Sequence, residues 1–259
     1  MANKVKFTVI SEKFEDFITK LSDLTLIDDT IKLKIDNDNI LMYSMLGGNV
    51  MLAFKNYLID KSEYLKSDDL EFTYDVIISN AKKFVKNLGF IKSSDKITIE
   101  LNCKESPEDD TIMNARGLQV VGGKLKVNWL AGERYEMKDI NKTVLSQRLD
   151  IKHRKWSFKL ENQDFLDVKK LSSINADKII SINVQNGKVI LSETSAWELE
   201  VGEIENRNAN LILNKRFLNC INDSLKTIEF SMFETFILIK DVQSNLMLSY
   251  EQDFSDDDV

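Results

Sequence analysis

Asn80-Ala-Lys-Lys-Phe-Val-Lys-Asn-Leu88 is answered further along the chain by Asn214-Lys-Arg-Phe-Leu-Asn-Cys-Ile221. At about 100° per residue, a helix through the first stretch puts Phe84, Val85 and Leu88 on one face and Lys82, Lys83 and Lys86 on the other. In the second stretch Phe217, Leu218 and Ile221 repeat the apolar face, and Lys215 and Arg216 take the places read for Lys82 and Lys83. Two short helices with cationic outer faces are therefore expected in corresponding places.

Those faces stand out because the chain as a whole is acidic. Its 259 residues carry 35 Lys and Arg against 42 Asp and Glu, a net charge of -7, with 43% hydrophobic content. Such a chain can bury a sizeable core in one or two domains. The N-terminus lacks an apolar leader pattern, and no run approaches the roughly 18 apolar residues of a membrane span. The expectation is a cytosolic protein without membrane association. Cys103 and Cys220 are too few for a disulfide framework and read as small buried thiols. An acidic body does not preclude a local basic face.

Outward from the repeated helix, the chain shows an order of elements that occurs twice. Val5 to Val9 alternates as a strand, and Ser11 opens an amphipathic helix with Phe14, Phe17, Ile18, Leu21 and Leu24 at helical spacing. Ile31–Ile35 and Ile40–Met45 read as a hairpin across 36–39, followed by a strand over Asn49–Phe54 and a polar stretch over Tyr57–Asp69. Leu70–Ile78 leads into the first basic helix, then come Lys96–Cys103 and a hairpin of Thr111–Val121 with Lys124–Leu130. Residues 131–152 have no clean period and read as a connector. Beyond it the series restarts: Phe158 and Phe165 lie 151 positions after Phe7 and Phe14. A hairpin across Asn186-Gly187, strands over Ala196–Val201 and Ala209–Leu213, the second basic helix and three further strands complete the copy. Expected boundaries are a first domain over 1–130, a connector over 131–152 and a second domain over 153–259, ending in a solvated acidic tail.

This duplicated unit, together with Gly187-Lys-Val-Ile190, Trp197-Glu-Leu-Glu-Val-Gly202 and Asn210-Leu-Ile-Leu-Asn214, resembles the DNA sliding clamps of the trimeric kind, the proliferating cell nuclear antigen type and the T4-type phage type. The resemblance runs over about 5–251. It implies an α+β fold of two similar clamp domains, each with antiparallel sheets and two helices on an inner face, three copies forming a ring. It also implies a processivity factor that encircles double-stranded DNA, touches the phosphate backbone without reading sequence, and partners a replicative DNA polymerase and a clamp loader. Neighbouring copies would join through edge strands, placed by the family layout near Thr111–Val121 and Thr194–Glu203. The Asn, Lys and Ile richness with a single proline points to an AT-rich genome such as a phage's, and so to a host cytoplasm.

On that resemblance the DNA-binding candidates are Lys82, Lys83, Lys86, Lys215 and Arg216, joined by Lys13 and Lys20 on the first helix and by Lys169 and Lys170 on its repeat. Lysine and arginine on phosphates carry no sequence information and exchange like counterions, which suits a sliding contact. Charge separates the helices: 79–92 holds four Lys and no acid, or +4, whereas 11–24 holds two Lys against four acids, or -2. Met137, Ile140, Leu145 and Leu149 would line an apolar groove for partner peptides. Catalysis finds little support. His153 is the only histidine, two Cys and one His over so long a span make no zinc site, Asp36-x-Asp38 lacks the rest of a calcium loop, and Gly117 to Leu125 lacks the Lys-Ser/Thr of a phosphate loop. No catalytic residue, metal or cofactor is expected. The alternative is a β-rich interaction or virion protein whose basic helices are surface decoration.

Overall fold

Phe7 in strand β1 (Asn3–Val9) is fully buried because alternation turns it, with Val9, toward helix α1 (Ser11–Leu24). That helix answers with Phe14, Phe17, Leu21 and Leu24 at helical spacing, all buried in the same core. The same construction recurs in β10 (Trp156–Glu161) and α4 (Asn162–Ile174), where Phe158 and Phe165 are buried in turn. The computed structural model describes residues 3–47, 51–67, 69–92, 94–132, 137, 140, 150–175, 177–193, 196–205, 207–241 and 243–250. It divides into two compact units, Met1–Leu46 with Phe54–Asp139 and Gly47–Ala53 with Ile140–Val259. The division falls inside the stretch read as a connector, most of which lies outside the described residues, as does the acidic tail.

The first unit contains β2 (Thr30–Ile35), β3 (Asn39–Leu46), β4 (Ala53–Asp60), α2 (Lys61–Tyr64), β5 (Leu65–Lys66), β6 (Thr73–Ser79), α3 (Ala81–Leu88), β7 (Ile97–Glu105), β8 (Ile112–Gly122) and β9 (Leu125–Leu130). Its strands are ordered β4-β3-β2-β6-β8-β7-β1-β5, with β9 also on β8. The second unit contains β11 (Ile179–Gln185), β12 (Lys188–Glu193), β13 (Trp197–Glu203), β14 (Ala209–Asn214), a 3₁₀ turn over Lys215–Cys220, β15 (Thr227–Met232), β16 (Phe236–Lys240) and β17 (Ser244–Ser249). Here the orders are β13-β12-β11-β14 and β10-β15-β16-β17. Position for position these repeat β4-β3-β2-β6 and β1-β7-β8-β9, so the duplication read from spacing is a duplication of topology.

Three expectations change. The polar stretch after Tyr57 extends β4 to Asp60, whose carboxylate accepts from Ser62 N at 2.8 Å and starts α2. The segment Thr111–Val121 is not a free edge: β8 pairs with β7 on one side and with β6 and then β9 on the other, leaving β9 outermost. The third change concerns the repeated helix. Ala81 N donates to Asp29 O at 2.9 Å and Lys82 N to Asp29 Oδ1 at 2.7 Å, so Asp29 caps α3. In the second unit Lys215 N makes the matching bond to Lys178 O at 2.9 Å, but a lysine side chain cannot accept a second N–H. Asn214 caps its own turn instead, receiving Arg216 N at 3.2 Å, and the segment tightens into a six-residue 3₁₀ turn.

That hydrogen-bond match also shifts the register by one. Lys215 stands where buried Ala81 stands, not where exposed Lys82 stands, and its ammonium turns inward. It donates to Ser172 O at 2.9 Å and Asn175 O at 2.7 Å, closing the C-terminus of α4, and to Glu193 Oε1 at 2.8 Å. Glu193 is fully buried and also accepts from Trp197 Nε1 at 2.9 Å. Burial pushes its carboxyl up, but the hydrogen bonds from Lys215 and Trp197 and the ammonium charge hold it below its ordinary value.

On the sheet face of the first unit turned away from α1 and α3, Lys32 Nζ lies 2.9 Å from Asp75 Oδ2 with both side chains buried. Neither Asp75 oxygen accepts a well-directed hydrogen bond, so charge holds the pair. Breaking such a pair from one side leaves a buried charge and costs about 3–5 kcal/mol, whereas replacing both partners by apolar groups is far milder. Chemical denaturation should therefore show Lys32→Met as severely destabilised and Lys32→Met/Asp75→Leu as largely recovered. Lys215→Ala should cost a similar amount by leaving the buried Glu193 without its ammonium counterion. Because the Glu193 carboxyl is depressed, its contribution is complete above its ordinary value of 4.5 and is lost as pH falls through the lower folded value. The stability gap between the protein and Glu193→Gln should close over that acid range in a series of pH-dependent melts.

Candidate functional site

The outer face of α3 carries three exposed cations close together. Asn80, at φ 53, turns the chain out of β6, and Gly89 N closes the helix on Val85 O at 3.2 Å. Phe84 and Leu88 are buried, the Phe84 ring lying 5.3 Å from that of Trp129 on β9. The inward side being fixed, Lys82, Lys83 and Lys86 project to solvent, and none of them enters an ion pair among the described residues. Lys92, just past the helix, is paired with Glu15 of α1 at 3.1 Å.

α1, which packs beside α3, presents Ser11, Glu12, Glu15, Thr19 and Ser22 outward and no cation. The expectation for Lys20 is corrected: it is buried, with Nζ 2.7 Å from both Asp16 oxygens and near the rings of Tyr57 and Tyr64 at 5.6 and 5.7 Å. The Tyr64 hydroxyl donates to the same carboxylate. Burial raises the Asp16 carboxyl, yet Lys20 and Tyr64 together hold it below its usual range, while burial and Asp16 drive the Tyr64 hydroxyl far above its own. Lys13 is half-buried, its Nζ 5.6 Å over the Tyr64 ring. Asp16 ties this helix to α2 through Tyr64, and Asp23 ties it to β4 through Lys55.

In the second unit the candidates scatter. Lys169 is paired with Asp223 at 2.7 Å, Lys215 is tied as described, Lys170 is exposed, and Arg216 is exposed with its guanidinium 5.1 Å from the Phe217 ring. Lys169, Ser172, Lys178, Lys215, Arg216 and Asn219 line an open cleft of about 560 Å³. Of the four residues assigned to a peptide groove, Met137 is buried, Ile140 half-buried, and Leu145 and Leu149 lie outside the described residues. Among the described residues no cluster of His, Cys, Asp or Glu can hold a metal, and no helix is long and apolar enough to cross a membrane. Both cysteines are buried, and burial pushes the Cys103 thiol up to about 12, far from a nucleophile's range.

Two strands with an open side flank these helices in sequence. β9 has only β8 beside it among the described strands, and β13 closes its sheet with only β12 beside it. Ala131 N donating to Arg116 O sets the hydrogen-bond parity of the β8–β9 ladder, leaving the backbone groups of Lys126, Asn128 and Leu130 pointing away from β8. Sequence reasoning missed β9 as the edge and Asp29 and Glu193 as positioning residues. The Asp28-Asp29 pair ahead of β2 was the one local signal for a cap.

No protein-family model matches the chain, and no curated protein matches it by sequence. Solved structures do match. The DNA polymerase III β chain of Streptococcus pneumoniae aligns at a TM-score of 0.65 and 12% identity over 97% of this chain and 65% of that one. A PCNA2–PCNA3 complex from Sulfolobus tokodaii aligns at 0.62 and 14% over 95% and 99%. The proliferating cellular nuclear antigen of Entamoeba histolytica aligns at 0.61 and 11% over 96% and 98%. The chain thus spans about two thirds of the bacterial β chain but nearly the whole length of the nuclear antigens. Its fold is that of the DNA sliding clamps.

Proposed function

We propose that this protein is a non-catalytic sliding clamp: three copies close a ring around duplex DNA and tether a replicative polymerase, delivered by a clamp loader. The observation that carries this reading is α3, which presents Lys82, Lys83 and Lys86 to solvent from a helix packed on a clamp-fold sheet. Ammonium groups on flexible stems bind phosphates without reading bases, so they hold the duplex without pinning it. Lys170 and Arg216 add to the track from the second unit, with Lys13 and Lys169 as weaker contributors, since Lys13 is half-buried and Lys169 already has an acidic partner. Lys20 and Lys215 are structural cations and stand outside it. Partner peptides would dock beside the connector, where Ile140 is half-buried and Met137 is buried. Three copies is the number that the resemblance to the trimeric clamps implies, and the match over nearly the whole length of the nuclear antigens supports that resemblance.

Solution mass should come out near three times 29.9 kDa, and the protein should stay on closed circular DNA while running off linear DNA with free ends. A monomer at every concentration with equal loss from both templates would overturn the reading. Replacing Lys82, Lys83 and Lys86 by Ala should weaken DNA association and reduce the slope of log affinity against log salt by about 0.9 for each phosphate that is no longer neutralised. Melting temperature should hardly change, since exposed substitutions usually stay within about 0.5 kcal/mol. Fluorescence anisotropy over a salt series, with Lys6→Ala on the exposed face of β1 as a surface control, reads this directly.

A further inference from the structure

Two of the terminal strands among the described residues, β9 and β13, carry opposite charge on matching faces. On β9, Val127 and Trp129 lie on the helix side of the sheet, half-buried, while Lys126 and Asn128 lie on the other face, with Lys124 at the turn before them. Lys124 and Lys126 are exposed and enter no ion pair among the described residues. On β13, Trp197, Leu199 and Val201 are the half-buried helix-side residues, and Glu198, Glu200 and Glu203 are exposed. Lys188 answers Glu200 at 3.0 Å. Each edge is thus apolar on the helix side and charged on the far side, β9 positive and β13 negative. Phe90, 69% exposed, and Leu125, 49% exposed, flank β9 around a groove of about 340 Å³.

We propose that these charges select the joint between copies: β9 of one copy is bound by β13 of the next, and self-pairing of either edge is rejected. This rests on the ring reading and adds the rule by which its joints choose their polarity. An exposed strand edge offers backbone hydrogen bonds to any other strand, so the backbone alone does not distinguish β9–β13 from β9–β9 or β13–β13. The side chains do. Pairing β9 with itself sets Lys126 near Lys126, and pairing β13 with itself gathers the glutamates of both copies at one seam, both repulsive. Pairing β9 with β13 sets Lys124 and Lys126 near Glu198, Glu200 and Glu203 while Val127 and Trp129 continue onto Leu199 and Val201. Such a contact is heterologous, head to tail, the kind that builds rings. Its partner is a second copy of this chain, and because its selectivity is ionic at an exposed rim, it weakens with salt.

Sedimentation velocity of the full chain from low to high NaCl tests this with three variants. Lys124→Glu/Lys126→Glu makes both edges acidic, and Glu198→Lys/Glu200→Lys makes both basic. Each should raise the assembly midpoint concentration by about tenfold or more at low salt. The fourfold variant combining all these changes restores opposite edges with exchanged signs and should assemble within about threefold of the original. Circular dichroism melts confirm that each variant is folded. If the original protein assembles and the two single-edge variants assemble equally well, or the folded fourfold variant does not recover, the charge rule is overturned while the ring stands. If the original protein never assembles, the ring reading itself is overturned.

Discussion

Burial of one phenylalanine from the first strand and one from the first helix of each unit is the packing on which the rest depends. Phe7 and Phe14 share one core, and Phe158 and Phe165 are both buried where the chain passes from strand to helix. Apolar residues of α1 and α3 then share a core with alternate residues of β2, β6, β7 and β8, so both helices lie on the same side of that sheet. The placement of charge follows from this packing. A helix of period about 3.6 that commits Ala81, Phe84 and Leu88 inward has Lys82, Lys83 and Lys86 on its outer arc whatever ligand they serve.

The two units use one scaffold but treat their cations differently, and a single exchange explains much of the difference. Asp29 offers both a backbone carbonyl and a carboxylate to the first turn of α3, whereas Lys178 at the matching place offers only the carbonyl. With the carboxylate, an α-helix forms and its lysines fall outside. Without it, the turn tightens, Lys215 lands on the inward position and becomes the C-terminal cap of α4 and the counterion of Glu193. Positive charge on the repeated element is therefore delivered chiefly by the first unit.

The parts of the fold legible in the amino-acid string are those governed by near neighbours. The alternation of Phe7 and Val9, the helical spacing from Phe14 to Leu24 and the Asn186-Gly187 turn, with φ of 52 and 85, depend on local periodicity and backbone preference. The roles of Lys20, Lys215 and Glu193 were not legible, because a lysine that caps a helix 40 positions away looks the same in sequence as one facing solvent. Nor was the outermost strand. Thr111–Val121 and Leu125–Leu130 are both good strands, and which is outermost depends on β6 reaching β8 in parallel from elsewhere in the chain.

A chain of net charge -7 with a few solvent-facing cations on one helix is poorly suited to gripping DNA and well suited to staying near it. Under the proposed function, each lysine–phosphate contact is weak and salt-screened, and the acidic remainder of the surface repels the duplex wherever no lysine intervenes. Tight binding would come with a barrier at each phosphate step, and a ring does not need it, because enclosure rather than affinity prevents escape. On that proposal the strength of the device would reside in its joints, where open backbone edges, apolar strips and opposite charges would meet, and the helices proposed to face DNA would be free to hold the polyanion only loosely.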